Sequence, residues 1–248
     1  MRIIEKLAAR ARDNQGAPGV TIAFLGDSVT QGCFEVYVKN DGDIEAVYDP
    51  RHAYHRQVQD ILAVLYPSVP VNIINAGISG DNATAALKRV QRDVIQHKPD
   101  LTVVCFGLND CGAGDAGLPV YIDSLTRLFR ALREDGSELV FMTPNMMATE
   151  VSCHIPQGLV RDIAASIANS QVTGVLDRYL DAARALCEQE NVPVCDCYRK
   201  WQMMHQGGVN TTDLLSNYIN HPTREMNWLF AYSLVETFFT AQANLWQL

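Results

Sequence analysis

Short, almost unbroken apolar runs alternate along this chain with longer stretches whose apolar residues recur every three or four positions. Val20–Leu25 (VTIAFL), after Pro18-Gly19, reads as a buried strand, and so do Val69–Asn75, Leu101–Phe106 (LTVVCF), Glu138–Met142 and the short Val192–Asp196. Between them, His52–Tyr66 places Val58, Ile61, Leu62 and Leu65 on one helical stripe. Asn82–His97 predicts a helix stopped near Pro99, and Val120–Arg133 one ended by Asp135-Gly136. A long helical region covers Gly158–Asn191, and Arg224–Leu248 closes the chain with a helix. The N-terminal MRIIEKLAARARDNQG predicts an amphipathic helix with Ile3, Ile4, Leu7 and Ala8 on one side.

Strands that are apolar at nearly every position are covered on both faces, which is the condition of a parallel sheet in an α/β protein. Right-handed crossovers then give a three-layer α/β/α sandwich. With no repeat, low-complexity tract or Pro/Gly-rich linker, a single domain over residues 1–248 is expected. Ligands of such sheets bind beyond the carboxyl ends of the strands. Gly26-Asp27-Ser28 follows the first strand, Gly77 to Asp81 the second, and Gly107-Leu108-Asn109-Asp110 the third. Three polar, glycine-bearing loops therefore emerge on one edge.

Composition narrows the partners. The net charge of -8, without a Lys/Arg cluster, argues against nucleic acid, whose phosphates need cationic neutralisation. No apolar run approaches the roughly 20 residues of a membrane span. The charged N-terminus lacks the apolar core of a secretory signal, so a cytoplasmic location is expected. The seven cysteines show no CxxC or metal spacing and read as buried, reduced thiols.

A serine directly after a buried strand and flanked by glycines, as in Gly26-Asp27-Ser28-Val29-Thr30-Gln31-Gly32, sits on a tight turn with its hydroxyl exposed. A nucleophile needs that exposure and a neighbouring base. A phosphate-binding loop or a plain turn has the same look. The segment resembles the first signature block of the SGNH (GDSL-like) hydrolases, the lipase/acylhydrolase family. Asn75-Ala76-Gly77-Ile78-Ser79-Gly80-Asp81-Asn82 is similar to the second block, Gly107-Leu108-Asn109-Asp110 to the third and His221-Pro222 to the last. The blocks come in family order and span nearly the whole chain.

The resemblance implies a serine ester hydrolase on a five-stranded, mostly parallel, flavodoxin-like sheet, with Ser28 as nucleophile and His221 as base. It implies an oxyanion hole formed by the Ser28 N–H, the Gly80 N–H and the Asn109 side chain, and no metal or cofactor. Such donors match the negative charge that an ester carbonyl develops in its tetrahedral intermediate. An imidazole, with an unperturbed pKa of about 6.5, can take the serine proton and return it to the leaving alcohol. His52, His55 and His97 lie on predicted helices and read as surface residues, while His154, in the loop after the fourth strand, faces the site edge.

One position departs from the family. An Asp is expected three residues before the histidine, as DxxH, and Tyr218 stands there. Three arrangements could orient the imidazole: an offset bringing Asn217 into the role, a backbone carbonyl holding Nδ1–H and leaving a Ser–His dyad, or Asp213 folding back. The first two are preferred, and each implies a less basic His221 than a full triad.

Asp27 reads as structural, accepting N–H groups of the turn. Glu35, Asp41, Asp43 and Glu45 read as a solvated acidic loop at the pocket rim, and Trp201, Trp228 and Trp246 as packing aromatics. The expected substrate is a small-molecule ester, an acetylated carbohydrate slightly ahead of other short-chain esters. Lysophospholipase or thioesterase activity is the alternative within the family. A non-catalytic flavodoxin-like module holding a phosphate or flavin is the alternative outside it. Asn109 and His221 separate these last two, because a phosphate cradle needs neither.

Overall fold

Apolar residues buried on both faces make up the inner strands of the central sheet, Val20–Gly26, Leu101–Cys105 and Glu138–Thr143, while the edge strand Val71–Gly77 is only partly buried. The computed structural model of the protein describes residues 1–241. The chain runs through α1 (Arg2–Arg12), β1 (Val20–Gly26), the single-turn α2 (Ser28–Gln31), β2 (Cys33–Val38), β3 (Ile44–Tyr48), α3 (Tyr54–Leu65), β4 (Val71–Gly77) and α4 (Ala83–Asp93). It continues through β5 (Leu101–Cys105), α5 (Leu118–Glu134), β6 (Glu138–Thr143), α6 (Leu159–Val172), α7 (Val175–Gln189), β7 (Val194–Asp196), α8 (Cys197–Gln206) and α9 (Arg224–Thr240).

Five strands form one parallel sheet in the order β4-β1-β5-β6-β7. Counted within that sheet the order is 2-1-3-4-5, the doubly wound flavodoxin-type order, whose chain reverses direction across the sheet between β1 and β5. α3 and α9 pack together on one face, joined by α1; α4, α5 and α7 pack in sequence on the other. The layers are cemented by aromatic contacts: Tyr54 on α3 meets Phe24 on β1 and Phe230 on α9 edge-on, at centroid distances of 5.6 and 5.7 Å. The Tyr54 hydroxyl lies 2.8 Å from Thr30 Oγ1, and the Tyr54 N–H donates to Asn227 Oδ1 at 3.0 Å. α3 and α9 are thereby tied to the turn after β1.

The structure departs from the sequence-based expectations at several points. The acidic segment after β1 is a hairpin, β2–β3, forming its own two-stranded sheet. Its turn is closed by Lys39 N–H to Asp43 O at 2.8 Å and Gly42 N–H to Lys39 O at 2.9 Å. Asp41-Gly42 is a hairpin signal that the surrounding charge obscures. Glu35 is part-buried and paired with Arg224, as described below. The long helical region is two helices, α6 and α7, parted at Gly174 in a left-handed conformation. His55 is buried, at 5% exposure, against Phe24 and Tyr54 rather than on the surface. Cys153 is exposed while the other six thiols are buried. Trp201 is buried; Trp228 is 37% exposed and packs on Tyr232. Trp246 and the C-terminal end of the expected last helix lie outside the described residues. Among the described residues, no helix is long and apolar enough to cross a membrane.

Candidate active site

At the carboxyl end of β1, Asp27 turns out of the strand and caps α2, its Oδ1 accepting the Val29 N–H at 3.0 Å. The cap places Ser28 as the first residue of a helical turn at the switch point of the sheet. The carboxyl end of β4 closes on this turn. A Cβ on Gly77 would lie 2.2 Å from Gln31 N and 2.6 Å from Thr30 C, both main-chain atoms, so only glycine lets the two segments meet. Burial pushes the Asp27 carboxyl up to about 7, the Val29 N–H opposing it and the nearby Asp110 and Asp81 charges adding to it.

Ser28 Oγ lies 2.9 Å from His221 Nε2, across 193 positions of sequence. The opposite ring nitrogen, Nδ1, lies 2.9 Å from the carbonyl oxygen of Phe34 on β2. A carbonyl can only accept, so the neutral ring carries its proton on Nδ1 and offers the Nε2 lone pair to the serine hydroxyl. Ser28 and His221 are only 5% and 6% exposed, so the serine is less open than the turn alone suggests.

Of the three arrangements that could orient the ring, the geometry matches the backbone carbonyl, and the two candidate side chains do other things. Asn217 Oδ1 accepts the N–H groups of Ile219, Asn220 and His221 at 3.0, 2.9 and 2.9 Å, so it shapes the loop and fixes the His221 main chain, not the ring. Asp213 is exposed on the preceding turn, and both ring nitrogens have other partners. Tyr218, at the position of the missing acid, has φ of 55°, a strained value for a bulky residue, and stacks on His154 at 4.9 Å.

Burial depresses the His221 pKa, and the Phe34 carbonyl and the Glu35 charge offset that only in part. The unprotonated ring therefore persists to lower pH than an exposed imidazole would allow. The acid limb of the kcat/KM profile is expected below about 6.5, so activity at mildly acidic pH stays near its plateau. A pH–rate series with a chromogenic ester reads this; an acid limb above pH 7 would contradict it.

Two further loops complete the edge. Gly80 has φ of 76°, a value glycine reaches without strain, and no atom lies within 4 Å of where its Cβ would be. Among the described residues, neither the Gly80 nor the Ser28 N–H donates to a protein acceptor. Asn109 Nδ2 donates one hydrogen to Asp81 O at 2.8 Å, which fixes the amide and leaves its second N–H. The loops are pinned by Asp110, the last residue of the third block, and by Arg89, to which no motif pointed. Asp110 accepts Ala83 N–H at 2.9 Å and Gly107 N–H at 3.0 Å, and burial pushes it up to about 6. Arg89, itself buried on α4, pairs with Asp81 and donates to the carbonyls of Ala76 at 2.7 Å and Gly26 at 3.0 Å. The available signal was an arginine on the face that Ala83, Ala86 and Val90 bury.

A serine–imidazole pair at the switch point of a doubly wound parallel sheet, with the loops of Gly80 and Asn109 following the two neighbouring strands, marks an SGNH-type α/β architecture. The chain belongs to the GDSL-like lipase/acylhydrolase family, whose model matches residues 24–229. Among curated proteins it is 31% identical, over 136 residues, to an acetylxylan esterase of Geobacillus stearothermophilus, covering 51% of this chain and 60% of that protein. It is 33% identical over 82 residues to an arylesterase of Vibrio mimicus, covering 32% of this chain and 40% of that protein. The matches thus span only about half the length of these relatives. In structure, the acetylxylan esterase from Geobacillus stearothermophilus superposes with a TM-score of 0.64 at 20% identity, covering 89% of this chain and 94% of that one. A two-domain esterase active on acetylated mannans superposes with a TM-score of 0.66 at 16% identity, covering 97% of this chain and 53% of that one.

Proposed function

We propose that the protein hydrolyses carboxylic esters by acyl transfer through Ser28, with His221 as general base. The observation that carries this reading is the 2.9 Å contact between Ser28 Oγ and an imidazole whose other nitrogen is already held by a carbonyl. Nε2 takes the hydroxyl proton as Oγ attacks the ester carbonyl. The carbonyl oxygen gains negative charge and meets the N–H groups of Ser28 and Gly80 and the free N–H of Asn109. The imidazolium then protonates the departing alkoxide, which leaves an acyl-serine. Water, deprotonated by the same nitrogen, releases the acid.

The substrate we infer is a short-chain ester, with acetylated carbohydrate ahead of the rest. The acetylxylan esterase likeness supports this. Lysophospholipase or thioesterase activity remains the family alternative. The flavodoxin-type strand order keeps a flavin or phosphate module as the other reading, although such a module has no use for an imidazole against the serine.

A panel of p-nitrophenyl acetate, butyrate and decanoate with acetylated xylo-oligosaccharides tests the reading. Acetate release is expected from the oligosaccharides, with p-nitrophenyl rates falling on the order of ten-fold or more from acetyl to decanoyl. Equal or better cleavage of the decanoyl ester would favour the lipolytic alternative. A yellow protein inert towards every ester would overturn the hydrolase.

A further inference from the structure

The acceptor that orients His221 is a peptide carbonyl on β2, and a carbonyl can replace a carboxylate only if its own segment is held. The hairpin does not hold it. β2 pairs with β3 at Cys33↔Tyr48 and again from Val36↔Ala46, and the register breaks between Cys33 and Val36, so Phe34 and Glu35 fall in the irregularity. β2–β3 is also separate from the central sheet.

Arg224 holds the segment instead. Its Nη1 and Nη2 donate to the two Glu35 carboxylate oxygens at 2.5 and 3.1 Å, a bidentate fork. Its Nε donates to Asp49 Oδ2 at 2.9 Å, and the guanidinium carbon lies 4.3 Å from the centroid of the Phe34 ring. One side chain thus grips Phe34, the residue after it, and the strand-end loop beyond β3. Arg224 opens α9, three positions after His221, with Thr223 as the N-cap between them. The segment that delivers the imidazole therefore also delivers the clamp on the imidazole's acceptor. The charged and titratable groups facing this corner are Glu35 from β2, Arg224 from α9, and Asp49 and His52 from the segment after β3, with His52 Nδ1 at 2.7 Å from Asp49.

We propose that Arg224 is the positioning residue of the His221 base: through Glu35, Asp49 and the Phe34 ring it fixes the Phe34 carbonyl, which serves in place of the aspartate that this chain lacks at Tyr218. The proposal rests on the hydrolase reading for its kinetic consequence but not for its structural one.

The test uses the full chain with Arg224→Gln, Arg224→Lys and Glu35→Gln, measuring kcat and KM for p-nitrophenyl acetate, titrated active-site concentration, thermal midpoint and the His221 Nδ1–H proton resonance. Arg224→Gln is expected to lower kcat per active site on the order of ten- to a hundred-fold with KM within about two-fold, because misplacement acts on the reacting geometry and not on substrate contacts. The Nδ1–H resonance, sheltered in the parent protein, is expected to vanish by exchange with water. Arg224→Lys restores part of kcat by pairing with Glu35, without the fork or the stacking. Unchanged kcat with a retained resonance in Arg224→Gln, or a change in KM alone, overturns the proposal. If Arg224→Gln does not fold, Glu35→Gln decides: a lowered kcat at constant KM supports the clamp and parent-like kinetics overturn it. If the parent protein cleaves no ester, the hydrolase reading fails, and the resonance in parent and variant still decides the clamp.

Discussion

Replacing Ser28 with alanine is expected to lower kcat/KM on p-nitrophenyl acetate by a factor on the order of 10⁴ or more while leaving the protein folded. The hydroxyl makes one contact, with His221 Nε2, and the turn that carries it is capped by Asp27, not by the serine. Truncation leaves one buried ring nitrogen without a partner, a destabilisation of about 1–3 kcal/mol, which a domain of this size tolerates. His221→Ala should cost a similar factor, since an unassisted hydroxyl is a poor nucleophile at neutral pH. The double variant should be no worse than either single one, because the two groups act as a unit. Steady-state kinetics with circular dichroism on the three variants read this. Ser28→Ala retaining activity within ten-fold of the parent would place the nucleophile elsewhere, and additive losses would mean that the two residues work independently.

How much of this was legible in the sequence depended on whether a residue's role is local. β1, β5 and β6 are apolar at almost every position, so their existence and approximate limits could be read directly, and so could the sheet edge on which their loops emerge. Ser28, Gly80 and Asn109 sit within motifs beside strand ends, and the structure brings those segments to one edge. The hairpin was hidden because its polar positions are acidic, which dominated the pattern of a strand pair lying outside the main sheet. That a main-chain carbonyl holds His221 Nδ1 is one of the two arrangements preferred from the sequence, but which residue supplies it was beyond reach for a different reason. The carbonyl is identical in every residue, and only the tertiary fold selects Phe34 for the task. Arg89 and Arg224 have the same character: each acts across the fold on groups far away in sequence. Asn217 was noticed for the right neighbourhood, yet its side chain is engaged with three main-chain N–H groups of its own loop.

The loss expected for Asn109→Ala is smaller than for Ser28→Ala but more specific, on the order of 10²–10³ in kcat with KM little changed. A donor aimed at the oxyanion strengthens its bond as charge develops, so removing it raises the transition state and barely touches the bound ester. The bond from Asn109 Nδ2 to Asp81 O complicates a simple truncation, since Asp81 belongs to the loop that carries Gly80. That loop has independent anchors, however: Arg89 pairs with Asp81, and Asp110 accepts the Ala83 N–H. The Gly80 N–H should therefore stay in place when the amide is lost. Asn109→Asp supplies the contrast. It keeps the size of the side chain but sets a negative charge against the developing oxyanion, so it should be at least as damaging as alanine, and most so above the pKa of the new carboxyl. A kcat deficit that eases as the pH falls, in Asn109→Asp but not in Asn109→Ala, would tie the effect to charge at the oxyanion. Equal losses at every pH, accompanied by a rise in KM, would instead make Asn109 a strut for the neighbouring loop.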